Sequence, residues 1–113
     1  VGPEIITGST RMKAGTATKM VLNMISTATM IRLGKVYSNL MVDLMAVNEK
    51  LVDRGIRIIQ DFTNLDIENS HKILVAAKMS VKAALVMVKK DCDLDVAEKH
   101  LLDANGFLRD VIN

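Results

Sequence analysis

An internal repeat in the last part of the chain constrains the fold more than any other feature. At an offset of 27 positions, Asp66 matches Asp93 and Leu74 matches Leu101. The other matched pairs are Lys72 with Lys99, Ala77 with Ala104, Val81 with Leu108, Lys82 with Arg109 and Leu85 with Ile112. Each copy has the pattern of an Asp-capped helix, a turn and the start of another helix. The repeat predicts short helices at about 67–78, 81–90, 94–104 and 107–112.

A longer amphipathic helix is predicted just before the repeat. Asn48 is its cap, and it runs to about Phe62. Its inner face holds Leu51, Val52, Gly55, Ile58, Ile59 and Phe62, and Asp53 and Arg57 on the outer face have the spacing of an ion pair. Because short helices do not persist alone in water, all five helices are expected to form one compact bundle.

A third helical pattern occupies residues 10–33. Apolar side chains recur at helical spacing from Ala17 to Ile31, and Gly34 is a natural stop. Ser9 or Thr10 is the expected N-cap. Since the opposite face is small and uncharged, we expect this helix to be buried on most sides.

The segment from Lys35 to Val47 is predicted to be an irregular connector. Val36–Tyr37 and Leu40–Val42 fit either extended chain or a short helix. The segment is apolar, so it should pack on something, such as another part of a longer protein or another subunit.

Composition limits the function classes. The net charge of +2, without a Lys/Arg run, gives no support for nucleic acid or an anionic membrane as partner. The longest uncharged stretch, 20–31, is too short to span a bilayer. Cys92 is the only cysteine, which excludes an intrachain disulfide and fits the cytoplasm. With half of the residues hydrophobic but only 3% aromatic, the core must be aliphatic.

The stretch from Gly8 to Thr16 carries the candidate chemistry. Two hydroxyls, Ser9 and Thr10, and two cations, Arg11 and Lys13, lie where a loop enters a helix. Helix N-termini attract anions, so the residues alone permit an anion or sugar-phosphate site. An ordinary capped helix start with solvated charges is the alternative on local grounds. The spacing from Gly8 does not fit a Walker P-loop.

The eighteen residues from Gly2 to Lys19 resemble the signature shared by bacterial N-acetylmuramic acid 6-phosphate etherases and the glucokinase regulatory protein. The resemblance continues, on the etherase side, through 21–27, 33–37, 39–43 and 48–51. The C-terminal repeat is similar to the small helical domain of the etherases, which has a ubiquitin-associated-like fold. The resemblance therefore covers essentially the whole chain.

The resemblance implies an all-α segment from the C-terminal part of a longer lyase. Residues 1–47 would end an α/β sugar isomerase (SIS) domain, and 48–113 would form the small helical bundle. The parent would form a homodimer. It would cleave the D-lactyl ether of N-acetylmuramic acid 6-phosphate and yield N-acetylglucosamine 6-phosphate and D-lactate. Neither a metal nor an organic cofactor is implied. The family's acid/base glutamates lie upstream of the signature, so no residue here is assigned a catalytic role.

The same resemblance places Ser9, Thr10 and Arg11 in the sugar-phosphate pocket, with Gly8 and Lys13 as further binding residues. Two other functions stay open: a non-catalytic sugar-phosphate-binding regulatory protein, and a helical module that binds a partner protein.

Glu4 is either a ligand-facing carboxylate or a brace for the loop. His71 and His100 are expected at the surface rather than in a metal site, and the acidic neighbours of Cys92 favour a structural thiol.

Overall fold

The computed structural model describes all 113 residues and is mainly helical, which confirms the all-α prediction. The elements are α1 (Lys13–Arg32), β1 (Val36–Tyr37), β2 (Leu40–Met41), α2 (Glu49–Phe62), α3 (Ile67–Ala76), α4 (Val81–Lys90), α5 (Leu94–Asp103) and α6 (Leu108–Ile112). They form two compact units, Val1–Arg32 and Leu33–Asn113. No helix combines the length and the apolar character needed to cross a bilayer.

The helices of the C-terminal unit begin at local caps. The side chains of Asn48, Asp66, Ser80 and Asp93 each accept a hydrogen bond from a main-chain N–H three positions on. These bonds satisfy donors that the first helical turn leaves free. On α2 the predicted inner residues Gly55, Ile58 and Ile59 are buried, and Asp53 pairs with Arg57 at 3.1 Å.

The repeat is visible as two equivalent helix ends. The Met79 N–H donates to the Leu74 carbonyl at 2.9 Å, and the Gly106 N–H donates to the Leu101 carbonyl at 2.8 Å. Both turns use left-handed backbone, at Lys78 and Met79 in one copy and at Asn105 and Gly106 in the other. These are Schellman-type ends, and each redirects the chain into the next helix.

Helix α4 is the centre of the C-terminal unit. It packs against α2, α3, α5 and α6. Every residue from Val81 to Met87 is buried, including Lys82. The fully buried Val81, Leu85 and Val86 join residues of the neighbouring helices in one aliphatic core. The predicted bundle is therefore confirmed, with α4 surrounded by the others.

The segment 35–47 is an ordered hairpin arm, so the irregular-connector prediction is wrong and its extended alternative is right. Strands β1 and β2 pair antiparallel, with Val36 opposite Met41 and Tyr37 opposite Leu40. After the hairpin, Val42 and Ala46 are buried in the core of the same unit. The apolar segment therefore packs on the helical bundle of its own chain. Two main-chain hydrogen bonds hold it there: the Ala46 N–H donates to the Met79 carbonyl at 2.9 Å, and the Val81 N–H donates to the Leu44 carbonyl at 3.1 Å.

The compact C-terminal unit therefore starts at Leu33, ahead of the boundary expected at 47/48. The Tyr37 ring contacts Phe62 of α2 edge-on, with centroids 5.0 Å apart. The assignment of residues 1–47 to the end of a SIS domain stays a prediction.

Helix α1 differs from its prediction in burial. It was expected to be covered on most sides, yet none of its residues is buried. Its exposed apolar side chains are Met20, Val21, Leu22, Met24, Ile25, Met30 and Ile31. The prediction fails within this chain because the compact unit 1–32 contains no second element for α1 to pack on.

Candidate functional site

The loop that precedes α1 is held by Glu4. One carboxylate oxygen accepts from the Ala14 N–H at 2.9 Å, and the other accepts from the Lys13 N–H at 3.2 Å. These are the first two N–H groups of the helix, which have no partner within it. The predicted N-cap at Ser9 or Thr10 is therefore wrong: the cap comes from a half-buried carboxylate nine positions before the helix.

The candidate binding residues Gly8 to Arg11 lie together on this loop. The Ser9 N–H donates to the Ile6 carbonyl at 3.0 Å and closes a tight turn. Gly8 has a φ of +83°, which favours glycine, and a Cβ there would meet no heavy atom within 4 Å. Ser9 is half-buried, while Thr10 and Arg11 are exposed. The turn thus presents two hydroxyls and a guanidinium in succession.

Lys13 stands slightly apart as the first residue of α1. Its ammonium lies 3.9 Å from the position that a Cβ on Gly2 would take, so the side chain reaches back along the loop. The loop and the first helical residue then carry two cations, Arg11 and Lys13, against the single carboxylate of Glu4. The net charge of these three side chains is positive, which favours the binding of a negatively charged phosphate.

The two N–H groups that made this helix start attractive for an anion already have an anionic partner. Glu4 interacts with the positive end of the helix dipole and satisfies both donors. Those two N–H groups are therefore not free for an added anion, whereas the hydroxyls and the cationic side chains of the loop could still bind one. Of the two roles weighed for Glu4, bracing the loop is the one that the structure shows.

The other titratable candidates form no site. His71 and His100 are exposed, and no three His, Cys, Asp or Glu side chains converge in a way that could hold a metal ion. Cys92 is half-buried, with Sγ 3.9 Å from the Val86 carbonyl oxygen. Desolvation and then the neighbouring Asp93 and Asp91 raise the pKa of its thiol, which opposes thiolate formation.

Lys82 is a buried charged residue whose burial was not predicted from its place in the repeat. Its ammonium donates to the Gly106 carbonyl at 2.6 Å and lies 3.9 Å from Asp43. Burial lowers the pKa of Lys82, the nearby Asp43 raises it and Lys35 lowers it. The sequence signal that could have indicated its burial is a lysine within the apolar run of α4. Its contacts connect α4, the hairpin arm and the α5–α6 turn.

Fold and loop together define a class: a small helical protein that carries an exposed, cation-bearing loop at the start of its longest helix. No protein-family model matches the chain. Curated relatives do match it closely. It is 57% identical over 108 residues to the N-acetylmuramic acid 6-phosphate etherase of Oceanobacillus iheyensis, a match that covers 96% of this chain and 37% of that protein.

Two further relatives extend the match. The Salinibacter ruber protein of the same name is 53% identical over 112 residues, covering 99% of this chain and 36% of the relative. The Lactiplantibacillus plantarum protein named N-acetylmuramic acid 6-phosphate etherase 2 is 52% identical over 113 residues, covering 100% of this chain and 38% of the relative. The resemblance to the etherase family is thereby confirmed. The chain is a homologue of these proteins and spans little more than a third of their length.

Proposed function

We propose that this chain is one segment of an N-acetylmuramic acid 6-phosphate etherase, a cytoplasmic lyase. The observation that supports this proposal most strongly is the 50–57% identity to proteins of that name over nearly the whole chain. The longer enzyme would cleave the D-lactyl ether by elimination and addition of water. One water is consumed, and N-acetylglucosamine 6-phosphate and D-lactate are formed. The names of the three relatives described above favour this reading over the regulatory and partner-binding alternatives.

The loop would supply part of the phosphosugar pocket. Ser9 and Thr10 can donate hydroxyl hydrogen bonds to phosphate or sugar oxygens, and Arg11 can make a bidentate, charge-assisted pair with the phosphate. Lys13 adds positive charge, and the open space around Gly8 lets a ligand approach the backbone. The exposed positions of Thr10 and Arg11 support this role. The acid and base would come from outside these residues.

The rest of the chain would serve the assembly of that enzyme. The apolar surface of α1 supports packing against the rest of the SIS domain in the longer protein, because an exposed aliphatic helix gains free energy by burial. The bundle 33–113 would brace the active site or the interface of a homodimer. The substrate would be a phosphorylated amino sugar, with no nucleic acid or membrane involved.

The substitution Arg11→Ala in the full-length enzyme tests the site. We expect substrate binding to weaken by about 1.5–3 kcal/mol, the scale for a hydrogen bond to a charged group. The matched control is Arg54→Ala, which removes an exposed arginine from α2. Steady-state kinetics with N-acetylmuramic acid 6-phosphate should show a raised KM only for the first variant. Unchanged KM and kcat would remove Arg11 from the pocket.

The isolated 113-residue chain gives a second test. Since no acid or base is assigned within it, an assay for released D-lactate should read zero. Clear turnover by the isolated chain would contradict the assignment of the catalytic groups to the rest of the enzyme.

A further inference from the structure

We propose that Glu4 is a positioning residue that holds the loop 5–12 in the shape needed to bind the phosphosugar. This inference rests on the proposed function. It starts from the pair of hydrogen bonds that Glu4 makes with the Lys13 and Ala14 N–H groups, nine and ten positions along the chain. Bonds of this kind, from a carboxylate to helix N-terminal donors, are charge-assisted.

Besides satisfying the helix donors, the Glu4 cap has a second effect, because Glu4 lies far from the helix in sequence. A Ser or Thr at the N-cap position would fix only the residue next to the helix. Glu4 instead closes a ring that contains every candidate binding residue from Gly8 to Arg11. Closing the ring removes backbone freedom from that stretch before a ligand arrives, and pre-organisation of this kind lowers the cost of binding.

Two further contacts shape the interior of the ring. The Ser9 N–H bond to Ile6 O fixes the turn. Thr10 also lies beside α1: its carbonyl oxygen would be 3.6 Å from a Cβ built on Gly15, which is an ordinary van der Waals distance. Glu4 is thus the side-chain anchor of a loop whose turn is held by a main-chain hydrogen bond.

Because Glu4 uses the helix donors, the phosphate must be bound by groups on the ring itself. Glu4 therefore favours phosphosugar binding indirectly, through the placement of Thr10 and Arg11, although its own charge is negative. Its loss should raise KM more than it lowers kcat, because the reacting groups lie elsewhere.

The test uses Glu4→Ala in the full-length enzyme with N-acetylmuramic acid 6-phosphate as substrate. KM should rise on the order of tenfold, as expected when a charge-assisted pair no longer organises a site. The control is Glu49→Ala, which removes an acidic residue from the first turn of α2, where Asn48 supplies the cap. That variant should keep its KM.

Double substitution separates positioning from general destabilisation. If Glu4 acts through the loop, the effects of Glu4→Ala and Arg11→Ala on KM are less than additive. Strictly additive effects, or a wild-type KM for Glu4→Ala, would overturn the role. Should Glu4→Ala not fold, Glu4→Gln keeps one acceptor oxygen and should give an intermediate KM, whereas a wild-type KM for that variant contradicts the proposal.

The same experiment separates this inference from the function on which it rests. A normal KM for Arg11→Ala would refute the phosphosugar pocket itself. A raised KM for Arg11→Ala beside a normal KM for Glu4→Ala would leave the pocket in place and remove only the positioning role.

Discussion

The ammonium nitrogen of Lys82 lies 2.6 Å from the main-chain oxygen of Gly106, and the lysine is only 7% exposed. Gly106 belongs to the turn within the second repeat copy. Lys82 follows the corresponding turn within the first copy. Asp43, on the hairpin arm, accepts a hydrogen bond from the half-buried Lys35 and lies 3.9 Å from Lys82. One buried cation therefore links both copies of the repeat to the arm.

This arrangement predicts a pH dependence of stability. Burial lowers the pKa of Lys82 below its ordinary value of 10.5 in the folded protein. Between that lowered pKa and 10.5, the unfolded chain holds a proton that the folded chain has released. The free energy of unfolding contributed by Lys82 therefore rises with pH in this window. Relative to Lys82→Met, the wild-type chain should gain stability as the pH approaches 10.5.

Urea unfolding of both proteins at a series of alkaline pH values measures that difference. The comparison cancels the titration of groups that the two proteins share. Lys89→Met, at an exposed lysine of the same helix, is the control and should show no such trend. A stability difference that is flat, or that falls with rising pH, would contradict the prediction.

The contact of Gly55 with α3 and α4 predicts that alanine is harmful there. A Cβ at this position would lie 2.9 Å from Val81 Cγ2 and 3.3 Å from Leu74 Cδ2, and both neighbours are fully buried. Overpacking of about 1–3 kcal/mol should outweigh the gain of up to about 1 kcal/mol in helix propensity. Gly55→Ala should therefore lower the free energy of unfolding measured in urea.

Gly15→Ala is the matched control for this prediction. Its Cβ would make only ordinary contact, at 3.6 Å from Thr10 O, so propensity should dominate. Far-UV circular dichroism should show α1 helicity equal to or above that of the wild-type chain. If Gly55→Ala proves as stable as the wild type, the packing of α2 on Val81 is looser than these distances indicate.

The repeat predicts equal costs for losing its two aspartate caps. Asp66 accepts from the Asn69 N–H at 2.8 Å, and Asp93 accepts from the Val96 N–H at 2.9 Å. Replacing either with alanine should cost about 0.5–2 kcal/mol of unfolding free energy. The Asp66→Asn and Asp93→Asn variants retain an acceptor and should lose much less. A large loss at one copy with none at the other would show that the two caps are not equivalent.

Sequence reasoning succeeded where structure is fixed by neighbouring residues. Asn48, Asp66 and Asp93 lie beside the helices that they cap, so the starts of α2, α3 and α5 could be read from local pattern. The helical periodicity also identified the buried face of α2 around Ile58 and Ile59. These features involve residues three or four positions apart.

It failed where the determining contact is distant in the chain. Glu4 caps α1 from nine positions away, which no local cap rule finds. The hairpin turn uses Ser38 at a φ of 54°, without the glycine that usually marks such a turn, and the arm is ordered by Met79 and Val81. A loop before α1 and a bracing role for Glu4 were both among the expectations, but the capping of α1 by Glu4 was not.

The hairpin arm also determines where this unit can be joined to another protein without loss of its core. Val42 and Ala46 fill space in the core of the bundle, and Tyr37 covers Phe62. A gene fusion or homologue exchange joined at residue 48 would leave those sites open and expose aliphatic surface. The compact unit Leu33–Asn113 contains the whole of this core, so a fusion joined just before Leu33 should keep the core intact.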